Sequence, residues 1–212
     1  MLAKRVQNGR CSSGHPFYFA GEAAMEKALS EMTREELWEL FPISLVEHDD
    51  RWAQYYAEME SFLKKRLQEY KVVRISHIGS TAIRGIWAKN IVDILVEISP
   101  VEDMKKVART VEKSGFIPMS AGKDRISLNR GYTCGGFAEK VYHLHIRWEG
   151  DNGELYFRDY MNEYPELAGE YERLKFALWK RYERDRDAYT HAKTEFVEKW
   201  TQEARKRYKS RY

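Results

Sequence analysis

Cysteine is scarce in this chain: Cys11 and Cys134 are the two among 212 residues, far apart in sequence. That count excludes a disulfide framework, and the separation offers no zinc-knuckle spacing, which suits a reducing compartment. Charge of one sign is also in short supply. A formal net charge of +3 is too small to argue for nucleic acid by itself. No apolar run approaches the length of a membrane span, and the first thirty residues lack the apolar core of a signal peptide. A cytoplasmic location and no membrane partner are the expectations. Internal repeats and low-complexity segments are absent as well.

What is present reads as a soluble globular protein. About a third of the residues are charged, 43% are hydrophobic, and the length suits one sizeable domain with a small appendage. Aromatic residues make up 14%, and most recur at helical spacing, which favours a core role over ligand stacking.

Residues 1–32 show no sustained periodicity and are expected to form a loosely ordered extension, with a short helix from Gly21 to Leu29. Thr33 followed by Glu36 resembles a capping box, so a helix should start there and end at Pro42. Asp49 or Asp50 should cap the next helix, whose buried stripe is Trp52, Tyr55, Tyr56, Met59, Phe62, Leu63 and Leu67. The period then changes. VVRISHI and NIVDILVEI read as strands around a Gly-Ser turn and a short helix or ordered loop. A helix with Val101, Met104, Val107, Ala108 and Val111 on one face follows, closed by Gly115. FIPM, DRISLNRGY and EKVYHLHIRW supply further strands, the last two a hairpin through Gly135-Gly136. From Leu155 onward the stripes are helical. The expected class is α+β, a mixed sheet with helices on one face, or α/β-like around the first βαβ unit. The expected division is a core at 33–150 and a helical region at 151–212 packed on it.

One position resists the apolar pattern. Asp93 sits inside IVDILV, where an ionised carboxylate is costly unless paired. Side chains alternate across a strand, which puts Ile91, Asp93, Leu95 and Glu97 on one face of theirs. In EKVYHLHIRW the same rule separates Val141, His143, His145 and Arg147 from Tyr142, Leu144, Ile146 and Trp148. One face of the sheet is therefore apolar, and the other gathers Asp93, His143, His145, Arg147 and Arg125. These groups either pair with carboxylates on a solvated face or floor a cleft; clustering of this kind favours the cleft. Gly79 and Ser80, directly after a strand, could seat an anion, although a Gly-Ser pair alone is more often only a turn.

HIGSTAIRGIWAKNIVDILV, YHLHIR, FRDYMNEYPELAGEYERLK and a later YTHAK together resemble the GrpB-like family of the nucleotidyltransferase superfamily, whose fold is like that of DNA polymerase beta. The resemblance runs from about Phe41 to Trp200. Arg84 and Asn90 depart from it, standing where the family usually has proline, and altered local stiffness is expected there. The resemblance implies a nucleotidyltransferase-like sheet, with phosphates seated at Gly79, Ser80 and Thr81 and two metal ions on an Asp-x-Asp pair plus a third carboxylate. Here Asp93 matches the second carboxylate, the first falls on Ile91, and the neighbouring strand offers His143 and His145.

Asp93, His143 and His145 are thus the candidate reactive and metal-binding residues, with His77 a further candidate ligand and Mg²⁺, Mn²⁺ or Zn²⁺ the candidate ions. Lys89 and Arg147 are candidates for neutralising phosphate charge. A nucleotide or phosphorylated small molecule is the expected partner, with nucleotidyl transfer as one reading and an inactive binding or regulatory module as another. The basic end KWTQEARKRYKSRY makes RNA a lesser candidate beside a plain solvated helix end. Asp159 and Tyr189 read as structural; Arg158 and Lys175 could tie helices together or meet phosphate.

Overall fold

Thr33 opens the first helix by the reciprocal bonds that its spacing to Glu36 implies. Its hydroxyl accepts from Glu36 N at 3.2 Å, and its own N–H donates to the Glu36 carboxylate at 2.7 Å. That helix, α1, runs Arg34–Leu40. The computed structural model describes residues 27–212; the expected extension falls outside the described residues over 1–26, and with it most of the helix expected from Gly21 to Leu29. Asp49 starts α2 (Arg51–Arg66) by accepting from Arg51 N at 2.9 Å.

Five strands follow: β1 (Val72–Ile78), β2 (Val92–Ile98), β3 (Ile117–Ala121), β4 (Arg125–Thr133) and β5 (Gly136–Trp148). Their order in the sheet is β1-β2-β5-β4-β3. Only the central β2–β5 pair is parallel; β1–β2, β5–β4 and β4–β3 are antiparallel. β1 therefore returns directly into β2 as an antiparallel neighbour, and the α/β-like alternative gives way to the α+β mixed sheet. The β4–β5 hairpin turns at Cys134-Gly135, because Gly136 already pairs with Thr133.

α2 and α3 (Met104–Glu112) cover one face of the sheet. Trp52, Met59, Leu63, Val107 and Val111 pack there against Ile94, Val96, Leu128, Leu144 and Ile146. Truncating a side chain as buried as Leu63 to alanine costs about 2–5 kcal/mol at such sites. The C-terminal third comprises α4 (Gly153–Glu163), α5 (Pro165–Arg181), α6 (Arg186–His191) and α7 (Thr194–Tyr208). It rests on part of the opposite face, where Leu155 meets Ile78 and Leu95. It also holds the β1–β2 connection, whose Ile83 and Ile86 pack with Phe157, Met161 and Tyr171.

The two positions that depart from the family's prolines have taken on other bonds. Arg84 donates its backbone N–H to Asn162 Oδ1 at 3.0 Å, a bond proline cannot make. Asn90 Oδ1 accepts from the Trp52 indole at 2.7 Å. No helix among the described residues is long and apolar enough to cross a membrane.

Candidate functional site

The strand register decides which polar side chains can meet. Ile78, Asp93, His143 and Asn129 stand abreast across β1, β2, β5 and β4. The next row on that face is Ser76, Leu95, His145 and Ser127, and the next is Arg74, Glu97, Arg147 and Arg125. The first two rows bring the central group together. Asp93 Oδ1 lies 3.2 Å from His143 Nδ1 and 3.3 Å from His145 Nε2. One ligand atom from each of the three residues falls within 4.8 Å of the others.

Each imidazole is held from behind at its other nitrogen. Tyr132 Oη is 2.8 Å from His143 Nε2 and accepts from Arg186 at 3.0 Å. With Nδ1 turned to the carboxylate, His143 Nε2 accepts the Tyr132 proton, the tautomer that this network assigns. Ser127 Oγ stands 3.3 Å from His145 Nδ1. With an ion at His143 Nδ1, that nitrogen would give up its proton and Nε2–H would donate to Tyr132 Oη, the outer anchor characteristic of metal-binding histidines.

Burial alone pushes the Asp93 carboxyl upward, but hydrogen bonds and charge from His143 and His145 outweigh it and hold the group well below the usual carboxylate range. Burial lowers His143, with His145 and Lys89 adding to the effect and Asp93 opposing it. The pair is thus disposed as a carboxylate beside a neutral imidazole, the protonation states that a divalent ion requires. Two imidazoles and one carboxylate form a donor set that suits Zn²⁺ or Mn²⁺, and these residues fit such an ion.

Gly79 lies against this group with φ +73°. Ser80 begins a short 3-10 turn over Ser80–Ala82, and its hydroxyl is 3.5 Å from Tyr171 Oη. Lysines gather beyond it. Lys175 Nζ lies 5.0 Å from the Tyr171 ring centre, while Lys89 and Lys193 lie 5.4 and 4.6 Å from that of Tyr189. Burial, then Lys193 and Arg186, depress Lys89 to about 7. Burial, with Lys193 again the next cause, brings Lys175 to about 7 too.

Three sequence assignments are corrected by this geometry. His77 stands opposite Ile94 and therefore on the face away from Asp93; its ring stacks on Tyr56 at 5.0 Å, and Nε2 meets Thr81 Oγ1 at 2.9 Å. It cannot join the other ligands. Thr81 is buried, and its hydroxyl donates to Ile91 O at 3.2 Å, so that side chain is not offered to a phosphate. Arg147 is on the expected face but four residues along β5 from His143, about 13 Å away at strand rise. It is buried there, with Nε 3.7 Å from Asp151.

Arg158 and Lys175 act as ties. Arg158 donates to His77 O, Asp159 and Tyr212 Oη at 2.8–2.9 Å. Lys175 donates to Trp87 O, while Trp87 N donates to Glu172 at 2.5 Å. Several cations of the basic end are paired within the chain, among them Lys206 with Glu203 at 2.7 Å and Arg211 with Asp159 at 3.4 Å. Sequence reasoning missed Tyr132, Arg186 and Lys193. YTHAK contained the last of these, and the alternation on DRISLNRGY gave no signal for Tyr132 because the register shifts between Arg130 and Tyr132.

Comparison with known proteins bears on this arrangement. The chain is 33% identical over 165 residues to the glutamate-rich protein GrpB of Alkalihalophilus pseudofirmus, covering 74% of this chain and 92% of that protein. It is 28% identical to the UPF0157 protein YqkA of Bacillus subtilis over 82% of this chain and 51% of the relative. The crystal structure of the conserved protein GrpB from Enterococcus faecalis superposes with a TM-score of 0.66 at 29% identity, covering 78% of this chain and 99% of that one. The family model described as GrpB protein matches residues 42–203, and the chain belongs to the GrpB family.

Proposed function

We propose that this chain binds one divalent metal ion at Asp93, His143 and His145 together with a phosphorylated ligand, and that it transfers a phosphoryl or nucleotidyl group. The observation that carries the reading is the convergence of both imidazoles on one oxygen, Asp93 Oδ1. When bound, the ion supplies charge neutralisation at a phosphoryl oxygen. The chain's own residues do the rest. Tyr132 and Ser127 fix the two rings, and Lys89 and Lys193 offer positive charge to the phosphates. Ser80 adds a hydroxyl at the turn. A nucleotide is the ligand class favoured by the sequence resemblance, since a Gly-Ser turn precedes the strand that bears the carboxylate.

A second reading, ligand binding without turnover, rests on Ile91. It occupies the position of the missing first carboxylate and is buried, with no ligand atom in its side chain. A single ion can bind and orient a phosphate without the paired clamp on attacking and leaving oxygens.

Titration calorimetry with Zn²⁺ and Mn²⁺, followed by nucleoside triphosphates and by phosphorus NMR of the mixture, tests both. The expectation is one metal per chain, lost in Asp93→Asn and His145→Gln. Nucleotide consumption supports transfer, and tight binding without consumption supports the second reading. A protein that takes up no metal overturns the proposal.

A further inference from the structure

A pocket of about 130 Å³ is lined by residues that precede Asp93 and His143 in the chain, among them Lys89, Ile91 and Val141. Val141 lies two residues before His143 on β5 and so shares its face, and Ile91 stands just before the start of β2. Pro42, Val46 and Phe137 complete the apolar lining, and Lys89 and Arg186 supply its charge. Ser44 and Asn90 add polar groups, so the lining is largely apolar with two cations.

Size limits what can enter. An apolar cavity of about 150 Å³ accepts a benzene molecule. A pocket of about 130 Å³ that opens outward can enclose a single ring, with any larger part of a ligand left outside it. Charge narrows the choice further. Lys89 feels Lys193 and Arg186 as neighbouring cations, against Asp93 as the carboxylate, and Asp93 is already held by two imidazoles. Among the described residues, Lys89, Arg186 and Lys193 form no ion pair. Crowded cations with so little compensation call for an anion.

We infer that this pocket seats a phosphate ester whose organic part is one ring, the ring lying against Ile91, Val141 and Phe137 and the phosphate between Lys89 and Arg186. The phosphate end rests on the phosphorylated-ligand reading above; the ring seat stands apart from it. Lys89 stands four residues before Asp93 and Val141 two before His143, so the pocket is built from the chain segments that lead into the metal-type group. A single-ring ester is thus the acceptor or substrate class that the site would take.

Calorimetry with phenyl phosphate and with inorganic phosphate, on metal-free and Zn²⁺-loaded protein, separates the two ideas. Phenyl phosphate is expected to bind about tenfold more tightly than inorganic phosphate, the margin that a buried ring confers. Val141→Phe fills the pocket and is expected to erase that margin. Phe137→Ala, at a half-exposed position, removes one wall without overpacking and is expected to narrow the margin in a chain that still folds. Arg186→Gln should weaken both ligands. Equal affinity for the two ligands in the native chain, or an undiminished margin in folded Phe137→Ala, overturns the ring seat and leaves the phosphate reading standing. Failure of both ligands to bind overturns both.

Discussion

Gly79 and Asp93 are fitted to one another. A Cβ added to Gly79 would lie 2.3 Å from Asp93 Oδ2 and 2.9 Å from its Cβ, and the glycine itself holds φ +73°, ψ −172°. That backbone region is essentially closed to side chains and costs them about 1–3 kcal/mol. Gly85 provides the matched control, since it holds φ +72° with nothing within 4 Å of an added Cβ. Gly79→Ala is expected to destabilise the fold by more than about 2 kcal/mol, and Gly85→Ala by about 1 kcal/mol. The excess combines the displacement of Asp93 with the ψ −172° of Gly79, a region nearly closed to side chains. Urea denaturation of the two variants measures it, and Zn²⁺ affinity should fall only in Gly79→Ala.

His77 makes the fold acid-sensitive independently of the metal-type group. Burial holds its imidazole down at about 4, with Arg158 adding to the depression and Asp93 opposing it, against an ordinary value of 6.5. The unfolded chain therefore takes up a proton below about pH 6.5 that the folded chain refuses until about pH 4. Stability is full above that window and is lost as pH falls through it, by about 2–3 kcal/mol from this residue. In His77→Gln, where the amide can still donate to Thr81, the loss between pH 6.5 and 4 should shrink by that amount in denaturation curves taken at each pH.

Strand parity made the heart of the site legible. Alternation in EKVYHLHIRW put His143 and His145 on one face, and Asp93 was conspicuous because a lone carboxylate inside an apolar run needs a partner. Parity cannot say how two strands are registered. His77 falls opposite Ile94 rather than beside Asp93, a single-residue offset that sends its ring to the other face. Arg147 shares the right face, but its four-residue spacing from His143 along β5 already puts it about 13 Å away. The helices were readable as stripes, but their approach to the sheet was not. Arg186 reaches Tyr132 across 54 positions of sequence, and Lys89 and Lys193 meet at the same ring, that of Tyr189. Such contacts depend on tertiary packing that no local spacing encodes.

Ile91→Asp tests whether one side chain separates a single-ion site from a paired one. Residues i and i+2 share a strand face, so the new carboxylate would lie beside that of Asp93. The position is buried, and an unpaired charge there is expected to lower the stability of the metal-free chain. With Mn²⁺ the binding ratio should rise from one to two per chain, and the metal-induced rise in melting temperature should exceed that of the native protein. If the ratio stays at one and stability is not recovered, a second ion needs more than a carboxylate at this position.

Tyr132 separates a positioning role from a structural one. Its ring packs in a cluster with Phe41 at 4.7 Å and Phe137 at 5.2 Å, while its hydroxyl links Arg186 to His143. Tyr132→Phe preserves the cluster and removes only the link. His143 then loses the partner that fixes its tautomer, and its ring can rotate away from Asp93. Groups that orient a metal-binding histidine are worth about 10–100-fold in metal affinity. Zn²⁺ affinity is therefore expected to fall by about tenfold or more with the melting temperature of the metal-free chain nearly unchanged. Ser127→Ala, which removes the longer 3.3 Å contact behind His145, should show a smaller loss. If Tyr132→Phe binds Zn²⁺ as the native chain does, the hydroxyl serves the fold alone, and the orientation of His143 must come from packing.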